Sequence, residues 1–173
     1  MFRGFILGVV VALLIGVVAG YFVITSGVIP ANADAQPGSF ELWAAGASLE
    51  ATLKKEAPTT ANPVAATEAN FVEGLKLYAQ NCVYCHGGSD GTASSLAKGE
   101  YPAPPQLAKD GVEDDPEGWS YWKLKHGIRL SGMPAWTDTL NDNQIWTLAL
   151  FLKNMDKLPP AVDKDWKALK TPQ

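Results

Sequence analysis

The chain has 173 residues, with 14 basic against 18 acidic side chains and a formal charge of -4. That length suits one compact domain with appendages, and no basic stripe or cluster suggests a nucleic-acid surface. Only two cysteines are present, Cys82 and Cys85, three positions apart, which excludes a disulfide framework or a separate thiol catalyst.

The first element is apolar. From Gly4 to Ile29 there are 26 residues without a charge. As a helix they would extend about 39 Å at 1.5 Å per residue, against a hydrocarbon core of about 30 Å. The run exceeds the roughly 7–15 apolar residues of a cleavable signal. Length therefore favours a retained anchor over residues 1–33, although Ala31-Asn32-Ala33 and Ala33-Asp34-Ala35 both look like cleavage sites. Arg3 lies before the span, and Asp34 and Glu41 follow it. The basic end should stay cytoplasmic, so the rest would face the outside, the periplasm in a Gram-negative cell. Gly4, Gly8, Ala12, Gly16 and Gly20 recur every four residues and form a ridge of small side chains suited to helix packing in lipid.

Residues 34–66 should form a membrane-proximal helix and a linker. Pro37-Gly38 is a break, and Ser39 is placed to cap a helix over Phe40–Glu56. Phe40, Trp43, Ala47 and Leu53 are expected near one side of this amphipathic helix. It should pack on its own domain or lie at the lipid surface, with docking to a partner subunit as the alternative. Pro58 to Ala66 reads as a linker that leaves the following domain free to move unless something pins it.

Residues 67–158 carry the chemistry. Phe71, Leu75 and Tyr78 share a helical face that leads into Cys82-Val83-Tyr84-Cys85-His86. Two thiols at this spacing followed directly by a histidine form the c-type haem attachment signature. The thiols can add to the two haem vinyl groups, with His86 beneath the iron. The competing readings are a redox disulfide and half of a zinc site. Zinc would need two more ligands, and His126 is the only other imidazole.

Further along, Glu113, Asp114, Asp115 and Glu117 read as a solvated acidic loop. A helix over Pro116–Lys125 should stop at Gly127, placing His126 at its exposed end. Asn141 followed by Gln144 reads as a capping box. The helix it opens has Ile145, Leu148, Ala149 and Leu152 on one face and should stop near Asp156, before Pro159-Pro160. The tail, residues 159–173, should dock weakly through Trp166 and Leu169.

These landmarks resemble class I cytochrome c over about 90 residues. In that family a glycine and an aromatic four residues later mark where the terminal helix crosses the first, and Gly74, Tyr78 and Phe151 match. Ser131-Gly132-Met133-Pro134-Ala135-Trp136 looks like the loop that supplies the sixth iron ligand. The resemblance implies an all-α fold, with a haem domain of three to five helices behind one transmembrane helix and a membrane-proximal helix. It implies one covalent haem c, held by Cys82 and Cys85 and ligated by His86 and Met133, with His126 as the competing distal ligand. A proline carbonyl, from Pro104 or Pro105, should support His86. Arg129 and Trp136 flank the methionine loop and are candidates for propionate contacts.

The function implied is one-electron transfer between respiratory or photosynthetic complexes on the periplasmic side of the inner membrane, without enzymatic activity of its own. The first alternative is an obligate haem c subunit of a dehydrogenase, quinol-oxidising or oxidase complex. The second is a gas sensor or peroxidase-like enzyme with a labile Met133. The expected partners are redox proteins and the membrane, with no nucleic acid and no small-molecule substrate.

Overall fold

The computed structural model describes residues 2–173, so Met1 lies outside it. Among the described residues the secondary structure is entirely helical. The chain divides into two units, residues up to Gln36 and Pro37–Gln173.

The first unit is built on α1, Phe2–Thr25, a 24-residue helix with mean hydropathy 2.8 in its best window. It is long and apolar enough to cross a membrane. The helix stops four residues before the apolar run does. The Thr25 and Ser26 hydroxyls bond back to the carbonyls of Tyr21 and Val23, and Gly27 turns the chain at φ +74°. The glycines of the small-residue ridge have nothing within 4 Å of a hypothetical Cβ.

The second unit opens with α2, Ser39–Glu56. Ser39 is not its cap: the N-cap is Gly38, without a side-chain bond. The face assignment also needs correction. Leu53 is buried at 2% exposure, whereas Phe40 and Trp43 are exposed at 74% and 66%. At 100° per residue, Leu53 falls on the side opposite Phe40, so the helix presents two different surfaces.

The stretch from Pro58 to Ala66 is pinned. Asn62 Nδ2 donates to the Trp146 carbonyl at 3.0 Å and to Glu117 Oε1 at 3.1 Å, and Val64 is buried. The Pro58 carbonyl sits where Gly118 has no side chain.

Three helices make the core. α3 (Glu68–Asn81) is capped by Thr67, whose hydroxyl accepts from the Asn70 N–H at 3.3 Å. α6 (Glu117–His126) and α7 (Asp142–Lys153) follow two short turns, α4 (Val83–His86) and α5 (Ser95–Gly99). α7 begins with the expected box: Asn141 Oδ1 accepts from the Gln144 N–H, and Gln144 Oε1 from the Asn141 N–H, both at 3.0 Å. α7 packs against both α3 and α6, and every residue from Ile145 to Leu152 is buried. Full burial of a side chain such as Phe151 or Leu148 contributes about 1.5–3 kcal/mol. At the α3–α7 crossing, a Cβ on Gly74 would stand 2.6 Å from Phe151 Cβ and 3.0 Å from the Thr147 carbonyl oxygen. Only a residue without a side chain permits that approach. Against α6, Trp146 stacks on Tyr121 with ring centroids 4.1 Å apart.

The acidic loop is tied down at points. Asp115 pairs with Lys123 at 2.9 Å, and Lys153 Nζ donates to the carbonyls of Glu113 and Asp115. The tail docks firmly. It forms α8, Pro160–Ala168, whose Val162 and Trp166 are buried. Trp166 meets Tyr78 and Phe151 edge-on, at centroid distances of 5.5 and 5.8 Å.

Candidate functional site

α4 is a single turn, too short to be stable alone. The Cys85 and His86 N–H groups both donate to the Cys82 carbonyl, at 3.1 and 2.8 Å, and Gly87 ends the turn at φ +74°. Other parts of the chain hold it from three directions.

Tyr78, fully buried on α3, donates its hydroxyl to the Gly87 carbonyl at 2.7 Å, with the His86 carbonyl oxygen also within 3.2 Å. Burial raises its pKa further above the ordinary phenol value, so it stays a donor. From the second side comes the segment after the proline run. His86 Nδ1 lies 2.9 Å from the Pro105 carbonyl oxygen. The Pro104 carbonyl instead accepts from Gln106 Nε2 at 3.1 Å, and the same amide donates to the Cys85 carbonyl at 3.0 Å. The Leu107 N–H donates to the His86 carbonyl at 3.2 Å. From the third side comes the tail. The Gly88 N–H donates to the Thr171 hydroxyl at 2.8 Å, and the Ser89 N–H to the Leu169 carbonyl at 2.9 Å. Thr171 Oγ1 also lies 2.7 Å from Asp90 Oδ1 and 3.0 Å from the Thr92 carbonyl.

The chemistry of the turn follows. With Nδ1 donating to Pro105, the imidazole of His86 is the tautomer whose Nε2 lone pair can bind a metal. Burial pushes its pKa below the ordinary value, against the opposing pulls of the Pro105 carbonyl and the Glu100 carboxylate, which favours the neutral ligand form. Cys82 and Cys85 are not joined in a disulfide. Burial, and then the neighbouring Cys85, pushes the Cys82 thiol up to about 12, the opposite of the depressed values of redox-active Cys-x-x-Cys pairs. Among the described residues, no group of three or more His, Cys, Asp or Glu side chains is placed to hold a metal ion, so a zinc site does not assemble.

The methionine loop packs on the end of α6. Gly127, at φ +67°, leaves room for it: a Cβ there would stand 2.7–2.8 Å from the Met133 carbonyl oxygen, the Pro134 carbonyl carbon and the Ala135 nitrogen. The Ile128 N–H donates to the Met133 carbonyl at 3.2 Å, and the Trp136 N–H to the Leu124 carbonyl at 3.1 Å. Met133 and Trp136 are half-buried against the core. Glu100 connects this loop to the motif. Its carboxylate accepts from the Cys85 thiol at 3.6 Å, and its carboxyl atoms lie 3.1–3.2 Å from where a Cβ on Gly132 would stand. Thus the turn with His86 and the loop with Met133 border one place in the fold.

The other candidates lie apart from these contacts. His126 is exposed, with its ring 4.9 Å from that of Trp122. Arg129 is exposed and forms no hydrogen bond or ion pair among the described residues. Tyr78, Gln106, Glu100 and Thr171 were not legible as site residues. Tyr78 reads as packing from its helical face, and the others have no motif to announce them.

An all-helical domain built around a Cys-x-x-Cys-His turn, with a proline carbonyl behind its histidine and a methionine loop alongside, is a cytochrome c domain. Comparison with known proteins agrees. Residues 69–152 match the family described as cytochrome c oxidase, cbb3-type, subunit III. A cbb3-type cytochrome c oxidase subunit CcoP of Azospirillum brasilense is 33% identical over 91 residues, which are 51% of this chain. The match spans 30% of that protein's length. Residues 69–152, just under half of the chain, are thus similar to a cytochrome c oxidase subunit family, and α1 is long and apolar enough to cross a membrane.

Proposed function

We propose that this chain carries one covalent haem c and passes single electrons as a subunit of a membrane oxidase complex. In this reading Cys82 and Cys85 would hold the haem through thioethers, and His86 and Met133 would ligate its iron. Bound there, the haem supplies a one-electron iron couple, which His/Met ligation shifts to higher potential. The protein's part is positional. Pro105 orients the His86 ring, Tyr78 and Gln106 fix the backbone on either side of it, and Gly127 admits the loop that presents Met133. With His86 and Met133 both on the iron, no position would remain there for a substrate, and the chain would only relay electrons. The haem domain would face the periplasm, following the placement of Arg3 before the span.

The observation that carries this reading is the 2.9 Å contact between His86 Nδ1 and the Pro105 carbonyl, which frees Nε2 for iron. The oxidase assignment, preferred to a free shuttle, rests on the subunit III match and on the CcoP relative. Three measurements test it. Chain made in a maturation-competent host should gain the mass of one haem. Its oxidised spectrum should show a weak far-red sulfur-to-iron band that Met133→Ala abolishes and His126→Ala leaves intact. Mild detergent extraction should then bring the chain out in a large oxidase-active complex. Extraction as a lone subunit, with oxidase activity elsewhere, would refute the subunit role.

A further inference from the structure

We propose that α2 makes a second contact with the bilayer, laying Phe40 and Trp43 into the headgroup region. The proposal rests on α1 being in the membrane. The two rings are 5.6 Å apart and both are largely exposed. Their face of α2 continues through Ala44, Ala47 and Ala51, and its first charges are Glu50 and Lys54, which pair with each other at 2.5 Å. The opposite face is committed at the far end of the helix, where Leu53 is buried. Phe40 lies about 20 Å from Leu53 along the axis, so the aromatic rings stand well away from the buried end of the helix.

Glu41 is the only charge in the first two turns, and its carboxylate accepts the Tyr101 hydroxyl at 2.5 Å. The one charge at the aromatic end of the helix is therefore held by its own domain. Only Ser26 to Gly38 separate α1 from α2, thirteen residues that reach at most about 45 Å.

The chemistry selects lipid over protein. Two exposed rings offer roughly 300 Å², well short of the approximately 800 Å² that each side of a stable protein interface buries. A ring with an apolar body and an indole N–H suits the membrane–water boundary.

The test uses the full chain in nanodiscs of phosphatidylcholine, with or without acyl chains brominated near the headgroup. The tryptophans are at positions 43, 119, 122, 136, 146 and 166, so α1 has none, and any bromine quenching comes from the second unit. Wild type should show a quenched component that Trp43→Phe removes and Phe40→Ala reduces, with unchanged circular dichroism in both variants. Equal quenching in wild type and Trp43→Phe would overturn the proposal. So would absence of quenching in a chain that co-elutes with the discs, or loss of quenching because two chains pair in one disc. A chain that elutes free of discs would overturn the anchor as well.

Discussion

Replacing Gly74 by alanine sets two effects of opposite sign against each other. Alanine is the better helix former by about 1 kcal/mol, so in an open helix the change stabilises. At Gly74 the new methyl would stand 2.6 Å from Phe151 Cβ and 3.0 Å from the Thr147 carbonyl oxygen. Neither atom can rotate away, because one is fixed to the α7 backbone and the other is part of it. α3 and α7 must separate by roughly 1 Å to restore ordinary carbon–carbon contact. Because α7 is buried on both sides, that shift is passed on to Leu148 and Leu152. Overpacking costs about 1–3 kcal/mol, and unyielding neighbours put this case at the upper end. The net expectation is a loss of about 2 kcal/mol after the propensity gain. With a urea slope of about 2 kcal/mol/M, the midpoint should fall by about 1 M. The assay is urea unfolding of the full chain in detergent, followed by tryptophan emission. Gly46→Ala is the control: nothing lies within 4 Å of its Cβ position, so it should hold or raise stability. A Gly74→Ala protein as stable as wild type would refute the argument that this glycine is required by the crossing.

Three further outcomes follow from the same contacts. Trp166→Ala removes a buried ring that meets Tyr78 and Phe151, and should cost about 3–5 kcal/mol in the same unfolding assay. Gly127→Ala forces a side chain into a left-handed position against the methionine loop, so on the proposed Met133 ligation the far-red sulfur-to-iron band should weaken while the thioether mass is retained. Thr171→Val tests a pH dependence. The Thr171 hydroxyl holds the Asp90 carboxyl below its ordinary value of 3.8, so its stabilisation is present above about pH 4 and lost as pH falls through the depressed value. The stability gap between wild type and Thr171→Val should therefore be full at pH 6 and shrink below pH 4, as read from denaturation midpoints.

What was legible in the sequence was local or carried by a pattern. The apolar run forms α1, the Asn141/Gln144 box opens α7, and the glycine at position 74 meets Phe151. Each depends on a few residues at fixed spacing. What was not legible depends on partners distant in the chain. Pro58 to Ala66 has the composition of a linker, yet Asn62 bonds to Trp146 and Glu117, 84 and 55 residues away. The tail has too few apolar residues to signal a core element, but Val162 and Trp166 suffice once α3 and α7 offer a surface. Leu53 and Phe40 looked like one face because a coarse reading of apolar positions ignores that thirteen residues turn a helix well past its starting side.

The same distinction explains how a four-residue turn can be rigid. α4 contributes almost no intrinsic stability, since one helical turn does not repay its own nucleation. Its geometry is imposed by Tyr78 from α3, by Pro105, Gln106 and Leu107 from the loop after α5, and by Thr171 from the tail. Tyr78 is in turn locked between Phe151 and Trp166, so the α3–α7 crossing and the docking of α8 bear directly on the backbone that carries His86. An electron carrier needs a ligand set that moves little between oxidation states, and a turn clamped from three directions is suited to that role. On the proposed haem ligation, damage to the crossing should therefore register at the iron before the fold is lost. In Gly74→Ala the midpoint potential should shift at urea concentrations where circular dichroism is still native. A potential that stays constant until global unfolding would show that the turn is held by its neighbouring loop alone.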